Sequence, residues 1–363
     1  MKKFYPNLNS LRFIAASLVI IHHIELYKSL FGLPNFWNVG FFQVIGKLGV
    51  VLFFVLSGFL ITSLLLHEKE NKGSISIKNF YLKRVLRIWP IYYVIVILGF
   101  FVYPYISFFD IPDKNIFPDV LIHRFPNIIY YLTIFANLSI PIYGDVPYTS
   151  QTWSIATEEQ FYLLWPFVFL FFNTKLIRVM ILIILSYWLV KYCLNYTNVP
   201  LISDRAQEIL KGFIFFFNIN CMALGGLFAI LVNKKSNIIS WLFKKNVLLI
   251  TTILTIILFV FGINFSFFHY DIYAILFAVI IINLACNEVY STLLENKFTN
   301  YLGSISYGIY MYHFAALTIS IRAAIYFQTS WIVYPLTFII TIIISHFSYQ
   351  YYENYFLKLK SKL

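Results

Sequence analysis

Long apolar runs recur along the whole chain, and the short segments between them contain most of the charged residues. A membrane-spanning helix needs about 17–25 mainly apolar residues. A segment inside lipid must also satisfy its backbone hydrogen bonds internally, so the runs predict α-helices. We predict ten spans, at 11–31, 46–66, 88–108, 158–173, 176–195, 213–232, 247–266, 270–286, 304–325 and 332–354.

The segment 127–140 is also apolar, but it is short for a crossing and lies between Pro126 and Pro141. We interpret it as a re-entrant or interfacial piece. The segments between spans are too short for a soluble domain of normal size. The prediction is therefore an all-α fold, a polytopic membrane helical bundle forming a single domain over 1–363, with no appended soluble domain. The first helix lacks a small-residue cleavage site and is expected to be retained.

Composition agrees with this pattern, because 60% of the 363 residues are hydrophobic and only 12% are charged. A net charge of +12 would suggest nucleic acid as a partner of a soluble protein. In a membrane protein, cytoplasmic loops rich in Lys and Arg are the better explanation, and such loops favour anionic lipid headgroups. The three cysteines have no metal-binding spacing, so we expect neither a disulfide framework nor a metal site.

The basic residues predict the orientation. Ten crossings place most of the 27 lysines and arginines on one side, which is then cytoplasmic, together with both termini. An eleventh crossing at 127–140 would put two Lys-Lys pairs outside. The residues that carry this bias are Lys2, Lys3, Arg12, Lys69, Lys72, Lys78, Lys83, Arg84, Arg87, Lys175, Arg178, Lys234, Lys235, Lys244, Lys245, Lys297, Lys358, Lys360 and Lys362.

Ionisable residues inside a span are costly unless they are paired or hydrated, so each is a functional candidate. On the first helix, Arg12 lies at the cytoplasmic mouth. His23 follows roughly 16 Å further along the axis, near the bilayer midplane. An imidazole there can take and return a proton near neutral pH. The alternative is that His22 and His23 only hold helices together through hydrogen bonds.

Two arginines before the third helix form a second candidate. Arg84 and Arg87 are three residues apart and so share a helix face. Paired guanidinium groups suit bidentate contacts with phosphate. An ordinary cytoplasmic cluster of positive charge explains the same spacing.

The segment Gln151–Tyr162 opens the fourth span on the outer side and contains Glu158 and Glu159. With Ser154 or Thr157 as the N-cap, both carboxylates would interact with the positive end of the helix dipole. A carboxylate here can instead orient an acceptor sugar or a catalytic histidine. We interpret the segment around Ser57 as helix packing.

A last candidate, His313, lies about ten residues inside the ninth span, again near the midplane. It is either a core histidine or a second proton carrier. The glycines and aromatic residues of Gly303–Tyr312 are also typical of close helix packing.

In this order, the motifs resemble the acyltransferase-3 family of membrane-bound acyltransferases over nearly the whole chain. Asn9 stands where the family usually has Asp, and Asn354 where Pro is common. The matching segments are Leu8–Arg12 with His22-His23, Phe53–Leu60, Arg84–Pro90, Trp153-Ser154 with Glu158–Tyr162, Ser306-Tyr307 with His313, and Tyr351-Tyr352-Glu353.

The resemblance implies an O-acyltransferase of the bacterial inner membrane. Such an enzyme moves an acyl group, usually acetyl, from a coenzyme A thioester such as acetyl-CoA to a hydroxyl of a cell-envelope polysaccharide, such as lipopolysaccharide, or of a lipid-linked sugar. It implies catalytic roles for His23, Glu158 and His313, coenzyme A binding by Arg12, Arg84 and Arg87, and acceptor binding by Trp153, Ser154, Glu159 and His22. No metal is implied.

Two other functions fit the same residues. A transporter or polysaccharide exporter would carry intramembrane His and Arg on its path, and the short segment 127–140 suits that function. A structural membrane subunit would tolerate changes at Arg12, His23 and Arg84. The acceptor, the acyl chain, a homo-oligomeric partner and a separate protein that completes the transfer stay open.

Overall fold

The computed structural model describes residues 5–112, 120–197, 199 and 202–362, so Lys2 and Lys3 lie outside the described part. None of the described residues is in a β-strand. The α-helices are α1 Leu8–Leu30, α2 Gly40–Lys72, α3 Ile77–Phe101, α4 Arg124–Leu132, α5 Ala136–Tyr143, α6 Thr152–Phe171, α7 Leu176–Tyr196, α8 Asp204–Phe216, α9 Ile219–Asn233, α10 Asn237–Leu242, α11 Lys245–Val260, α12 His269–Cys286, α13 Lys297–Ser304, α14 Ser306–Tyr326, α15 Val333–Phe347 and α16 Asn354–Ser361.

Several helices can cross a membrane, which makes the chain a multi-pass membrane protein. Within the described ranges, seven segments are long and apolar enough, namely Leu8–Leu30, Gly40–Lys72, Ile77–Tyr105, Leu176–Tyr196, Asp204–Asn233, Ser266–Cys286 and Ser330–Ser361. The other three predicted spans coincide with α6, α11 and α14. Of these, α11 is an apolar helix of 16 residues. Polar residues in the first halves of α6 and α14 lower their mean hydropathy.

Several elements differ in extent from the prediction, among them α3, which begins at Ile77 rather than at 88. α2 is 33 residues long and begins and ends about six residues beyond the predicted span. α6 begins at Thr152 rather than at Glu158. The segment 127–140 is covered by two short helices, α4 of 9 residues and α5 of 8. Each is too short to cross a bilayer alone.

The last predicted span ends in a wider turn. After α15, the residues Ser348–Glu353 form a π-helix that leads into α16. Glu353 is buried and accepts a hydrogen bond from Ser348, whose hydroxyl is 3.0 Å from that of Tyr312 on α14. Because π-helical turns are rare and frequent at functional sites, this turn fixes a buried carboxylate beside α14.

α2 packs against α9 through close backbone contact, and it also contacts α1, α6, α11 and α12. A Cβ atom placed on Gly58 would lie 1.9 Å from the carbonyl oxygen of Met222, and one on Gly225 would lie 2.2 Å from that of Val55. Small residues let helix backbones approach closely in membranes. The packing interpretation of the segment around Gly58 is therefore confirmed.

The replacement Gly58→Ala should destabilise the protein by about 1–3 kcal/mol, the usual cost of overpacking. This cost exceeds the gain of roughly 1 kcal/mol that Ala brings over Gly in a helix. The midpoint of thermal unfolding in one detergent measures the effect. Gly40→Ala is the matched control, because its Cβ would lie 3.5 Å from Gly262, an ordinary contact. Equal midpoints for the two variants would contradict the prediction.

Both ends of α1 are held by buried polar contacts. At its start, the Asn7 side chain donates to the carbonyl oxygens of Leu284 and Tyr290 at 2.7 and 2.8 Å. Near its end, buried Glu25 and Lys28 form an ion pair of 2.6 Å, and Glu25 also accepts from Tyr334 of α15 at 2.8 Å. Pairing lowers the cost of burying these two charges. These contacts fix the axial position of Arg12 and His23.

Candidate active site

Three cavities follow one another along α2. The basic cleft, about 620 Å³, is lined by residues 60–72 of α2 together with Asn79, Phe80, Lys83, Arg84, Arg87 and Lys360. The arginine cavity, about 90 Å³, is lined by Val50–Ile61 of α2 together with Arg12, Arg84, Arg87, Ile88, Ser154, Ile155, Glu158, Tyr162, Ser306, Tyr307 and Tyr310. The histidine cavity, about 220 Å³, is lined by Val19, His22, His23, Leu26, Gly46, Lys47, Val50, Asp145, Ser150, Gln151, Trp153, Phe216, Tyr310 and Phe314.

Neighbouring cavities share wall residues. Arg84 and Arg87 line both the basic cleft and the arginine cavity. Val50 and Tyr310 line both the arginine cavity and the histidine cavity. The length of α2 between Lys47 and Lys72 is roughly 38 Å at 1.5 Å per residue. The three cavities therefore form a series on the scale of a bilayer, with only side chains between adjacent members.

The arginine cavity brings together three guanidinium groups from two helices. Arg12 donates to the side-chain amide oxygen of Asn9 at 2.9 Å. Arg84 stacks near Phe80 and Tyr162, with ring centres 5.5 and 5.4 Å from its Cζ. Its buried Nε has no hydrogen-bond partner in the described structure.

The positive charge of this cavity is not neutralised by ion pairs. In the described part of the chain, the ion pairs are Glu25–Lys28 and Glu68–Lys72, and neither involves Arg12, Arg84 or Arg87. Unpaired buried charge is unfavourable, and arginine is the side chain best suited to phosphate and carboxylate. The cavity is therefore suited to an anionic ligand.

Glu158 lines the arginine cavity. It lies about one helical turn beyond the first turn of α6. Its two carboxylate oxygens accept hydrogen bonds from Ser57 at 2.8 Å and from Tyr162 at 3.2 Å. Neither Ser154 nor Thr157 caps α6, because the helix begins at Thr152. The capping interpretation is therefore wrong. Six residues of rise place Glu158 roughly 9 Å from the start of the helix.

Glu159 points away from Glu158. One of its oxygens accepts from the Trp89 indole at 2.9 Å, and the other is buried without a described partner. It lines a mainly apolar side cavity of about 320 Å³ between α3, α6 and the segment joining α4 to α5, which also touches Arg84 and Tyr162. It does not line the histidine cavity.

His23 and His313 meet although 290 residues separate them in the sequence. Nε2 of His313 is 3.0 Å from Nδ1 of His23, and Nδ1 of His313 is 2.6 Å from the carbonyl oxygen of Tyr310. A carbonyl can only accept, so with neutral rings His313 carries its proton on Nδ1. Its bare Nε2 then accepts the Nδ1 proton of His23. The lone pair of His23 Nε2 is thereby left available for a proton in the histidine cavity.

His22 is held in place beside His23 in the same cavity, with the two ring centres 5.0 Å apart. Its Nδ1 is 2.6 Å from the carbonyl oxygen of Phe42, and its ring packs edge-on against Trp37. The ring fills the space over Gly46, where a Cβ atom would lie 2.3 Å from the imidazole. His22 thus lines the cavity without contacting His313.

Trp153 and Ser154 are adjacent in sequence but line different cavities. Trp153 lines the histidine cavity and packs against Phe54 and Phe216. Ser154 lines the arginine cavity, and its hydroxyl is 2.8 Å from that of Tyr310. Successive helix residues point about 100° apart, which explains the split.

Several polar groups of the cavities are absent from the sequence prediction. Ser57 and Tyr162 hold Glu158, Tyr310 separates the two inner cavities, and Lys47 lines the histidine cavity. Lys47 alone could have been found from the sequence, since it is the sole charged residue between Phe41 and Leu66. Serine and tyrosine inside an apolar run carry no comparable signal.

Asp145 adds a carboxyl group to the histidine cavity from the loop between α5 and α6. Burial raises the pKa of this carboxyl, and a hydrogen bond with Ser150 opposes the rise. Because burial disfavours the charged form of Asp145, this residue adds less negative potential to the cavity than an exposed carboxylate would.

The relatives found by comparison are O-acetyltransferases in name. The peptidoglycan O-acetyltransferase OatA of Listeria monocytogenes is 29% identical over 88% of this chain and 50% of its own length. A putative O-acetyltransferase of Staphylococcus aureus, SACOL0978, is 26% identical over 98% of this chain and 58% of its own length. The putative peptidoglycan O-acetyltransferase YrhL of Bacillus subtilis is 31% identical over 45% of this chain and 23% of its own length.

The chain spans about half the length of the first of these relatives. No solved structure matches it. The family profile described as "Acyltransferase domain" matches residues 5–349, nearly the whole chain, and the resemblance inferred from the ordered motifs is confirmed. The protein belongs to the acyltransferase-3 family.

Proposed function

We propose that the protein is a membrane O-acyltransferase that moves an acetyl group from acetyl-CoA to a hydroxyl of a cell-envelope glycan. The observation that carries this proposal is the hydrogen-bonded pair His23–His313, which lies one wall away from a cavity with three unpaired arginines. This arrangement joins a proton acceptor to an anion site. The names of the relatives make peptidoglycan or its lipid-linked precursor our proposed acceptor.

The donor binds from the basic cleft. Lys72, Lys83 and Lys360 surround the nucleotide end of acetyl-CoA, and Arg84 and Arg87 hold its phosphates by charge-assisted hydrogen bonds. Arg12 lies deeper in the arginine cavity. The thin pantetheine arm then carries the thioester along the cavity toward Tyr310 and His23.

Transfer takes place where the arginine and histidine cavities meet. Nε2 of His23 removes the proton from the acceptor hydroxyl, and the hydroxyl oxygen attacks the thioester carbonyl carbon. The carbon–sulfur bond breaks, and the imidazolium returns the proton to the leaving thiolate, which gives an acetyl ester and coenzyme A. Alternatively, His23 Nε2 attacks the thioester carbonyl carbon, the carbon–sulfur bond breaks and the acetyl group is held on Nε2. The acceptor hydroxyl then attacks the same carbon, the carbon–nitrogen bond breaks, and the hydroxyl proton goes to the coenzyme A thiolate. Both routes use the same nitrogen.

The remaining site residues hold the reactants. His313 fixes the ring of His23 and its tautomer. Glu158, held by Ser57 and Tyr162, balances part of the arginine charge and limits the depth that the phosphates reach. Trp153 and His22 offer aromatic surface to the acceptor sugar in the histidine cavity.

The proposed topology follows from the basic cleft. About ten helices cross the bacterial cytoplasmic membrane, and both termini are cytoplasmic, because acetyl-CoA is a cytoplasmic donor and the lysines of the cleft obey the charge bias of cytoplasmic loops. The histidine cavity then faces the outer half of the membrane, where envelope glycans are assembled.

Acetyl transfer by the purified protein in detergent tests the proposed function. With radiolabelled acetyl-CoA and soluble peptidoglycan fragments, we expect label in the glycan in equal amount to the coenzyme A released. The label should be lost on mild alkaline hydrolysis, as an ester requires. Release of coenzyme A without a labelled glycan, or no consumption of acetyl-CoA, would refute the proposal. An exporter would give no product in this assay, which has no sealed compartment.

A further inference from the structure

Lys47 is an ammonium group in the wall of the histidine cavity. It lies on α2 within an apolar run, on the same cavity as His22 and His23. Its Nζ lies 3.0 Å from the ring centre of Phe215 and 4.6 Å from that of Tyr270, and it donates to the carbonyl oxygen of Phe215. The mechanism above does not use it.

The surroundings of Lys47 stabilise a cation but do not neutralise it. Two further rings, Phe216 and Trp153, are centred 5.4 and 5.6 Å from Nζ. Cation–π contacts are worth about 0.5–2 kcal/mol each, and they stabilise the half-buried cation without cancelling its charge. A purely structural lysine at this depth would be expected to have a carboxylate partner.

Carboxylates near Lys47 do not fill this role. Asp145 lines the same cavity, yet the ion pairs of the described structure do not include the two residues. Lys47 interacts electrostatically with Cys221 and with a second cation, Lys191. Lys47 therefore lines the histidine cavity together with His23 and has no carboxylate partner in the described structure.

We propose that Lys47 binds an anionic group of the acceptor, a carboxylate or a phosphate attached to the sugar that is acetylated. This inference rests on the proposed function. The ammonium group binds the anionic group on one side of the sugar, and the sugar ring packs on Trp153. The reacting hydroxyl is then turned toward Nε2 of His23. Lys47 is in this view a specificity-determining residue, and the enzyme prefers acidic acceptors to neutral acceptors with the same ring.

Three soluble acceptors with related rings test this preference. N-acetylglucosamine is neutral, N-acetylmuramic acid adds a carboxylate, and N-acetylglucosamine 1-phosphate adds a phosphate. The measured quantity is the ratio of kcat/KM for each charged acceptor to that for the neutral one. A charge-assisted hydrogen bond is worth about 1.5–3 kcal/mol, so Lys47→Met should lower the ratio at least about tenfold for the charged acceptor that the enzyme uses.

Two further variants make the test specific. Lys47→Arg keeps the charge and should retain most of the preference. Lys191→Met is the matched control, because this lysine also contacts an aromatic ring, that of Phe267 at 4.4 Å, but does not line the histidine cavity. Its preference ratio should equal that of the wild type.

Each outcome decides the inference. A fall with the carboxylate acceptor alone, or with the phosphate acceptor alone, supports it and identifies the anionic group. An unchanged ratio in Lys47→Met, or an equal fall in Lys191→Met, overturns it while acetylation of the neutral acceptor keeps the proposed function intact. If the wild type acetylates neither these three acceptors nor peptidoglycan fragments, the proposed function fails as well.

Discussion

Replacement of His23 by alanine should lower the rate of acetyl transfer by about 10²–10⁴-fold, the usual contribution of general base catalysis. The replacement removes the nitrogen that takes the proton of the acceptor hydroxyl in one route and carries the acetyl group in the other. Binding of acetyl-CoA should change little, since the arginines lie in the neighbouring cavity. The measurement is kcat for acetyl transfer, together with the affinity for coenzyme A.

His313→Ala should cause a smaller loss, because His313 acts through His23. Without the acceptor Nε2 of His313, the ring of His23 loses the 3.0 Å hydrogen bond that selects its tautomer. Such outer partners of functional histidines typically contribute 10–100-fold to activity in metal sites, and we expect a loss of about that size here. The effect should fall on kcat and leave KM for acetyl-CoA unchanged, which a general loss of folded protein would not do.

His123→Ala is the control for both variants. This histidine precedes α4, contacts Tyr143 and lines none of the three cavities. Its activity should match that of the wild type. A His23→Ala protein that elutes as the wild type does and keeps full activity would exclude His23 as the base, and the pair with His313 would then be a structural contact between α1 and α14.

The positions of the site residues along their helix axes could be predicted from the sequence. The rise of an α-helix separates Arg12 from His23, and the structure places them in adjacent cavities. The three-residue spacing of Arg84 and Arg87 puts both on one wall. Such inferences need only the geometry of one helix, so they do not depend on how the helices pack.

Contacts between helices could not be obtained in this way. The pair His23–His313 joins α1 to α14, and the hydrogen bond from Ser57 to Glu158 joins α2 to α6. Which faces meet depends on the close approach of backbones at residues such as Gly58. Small residues in an apolar run indicate that a helix packs closely, but not against which neighbour.

The boundaries of α6 were the least predictable part of the fold. Glu158 and Glu159 look like the start of a helix when charge is taken as the mark of a membrane boundary. Hydrogen bonds from Ser57, Tyr162 and Trp89 satisfy these carboxylates inside the bundle instead, so the helix extends further. Charge therefore indicates the end of a span only where buried partners are lacking.

Replacement of both arginines in Arg84→Gln/Arg87→Gln should raise KM for acetyl-CoA by about two orders of magnitude or more. A charge-assisted hydrogen bond is worth about 1.5–3 kcal/mol, and 1.4 kcal/mol corresponds to a factor of ten. The two side chains line the same cavities, so their effects need not add. Raised salt should weaken donor binding in the wild type and much less in the variant.

A donor without phosphates separates this role from a loss of structure. S-acetylpantetheine carries the same thioester but no nucleotide, so the double variant should use it as well as the wild type does. Arg124→Gln is the control, because Arg124 stacks on Phe101 at 4.1 Å and lines none of the three cavities. An equal fall with both donors would mean that the arginines maintain the helix packing. An unchanged KM for acetyl-CoA would mean that its phosphates bind outside the arginine cavity. The donor would then reach His23 from the cytoplasm by another entrance.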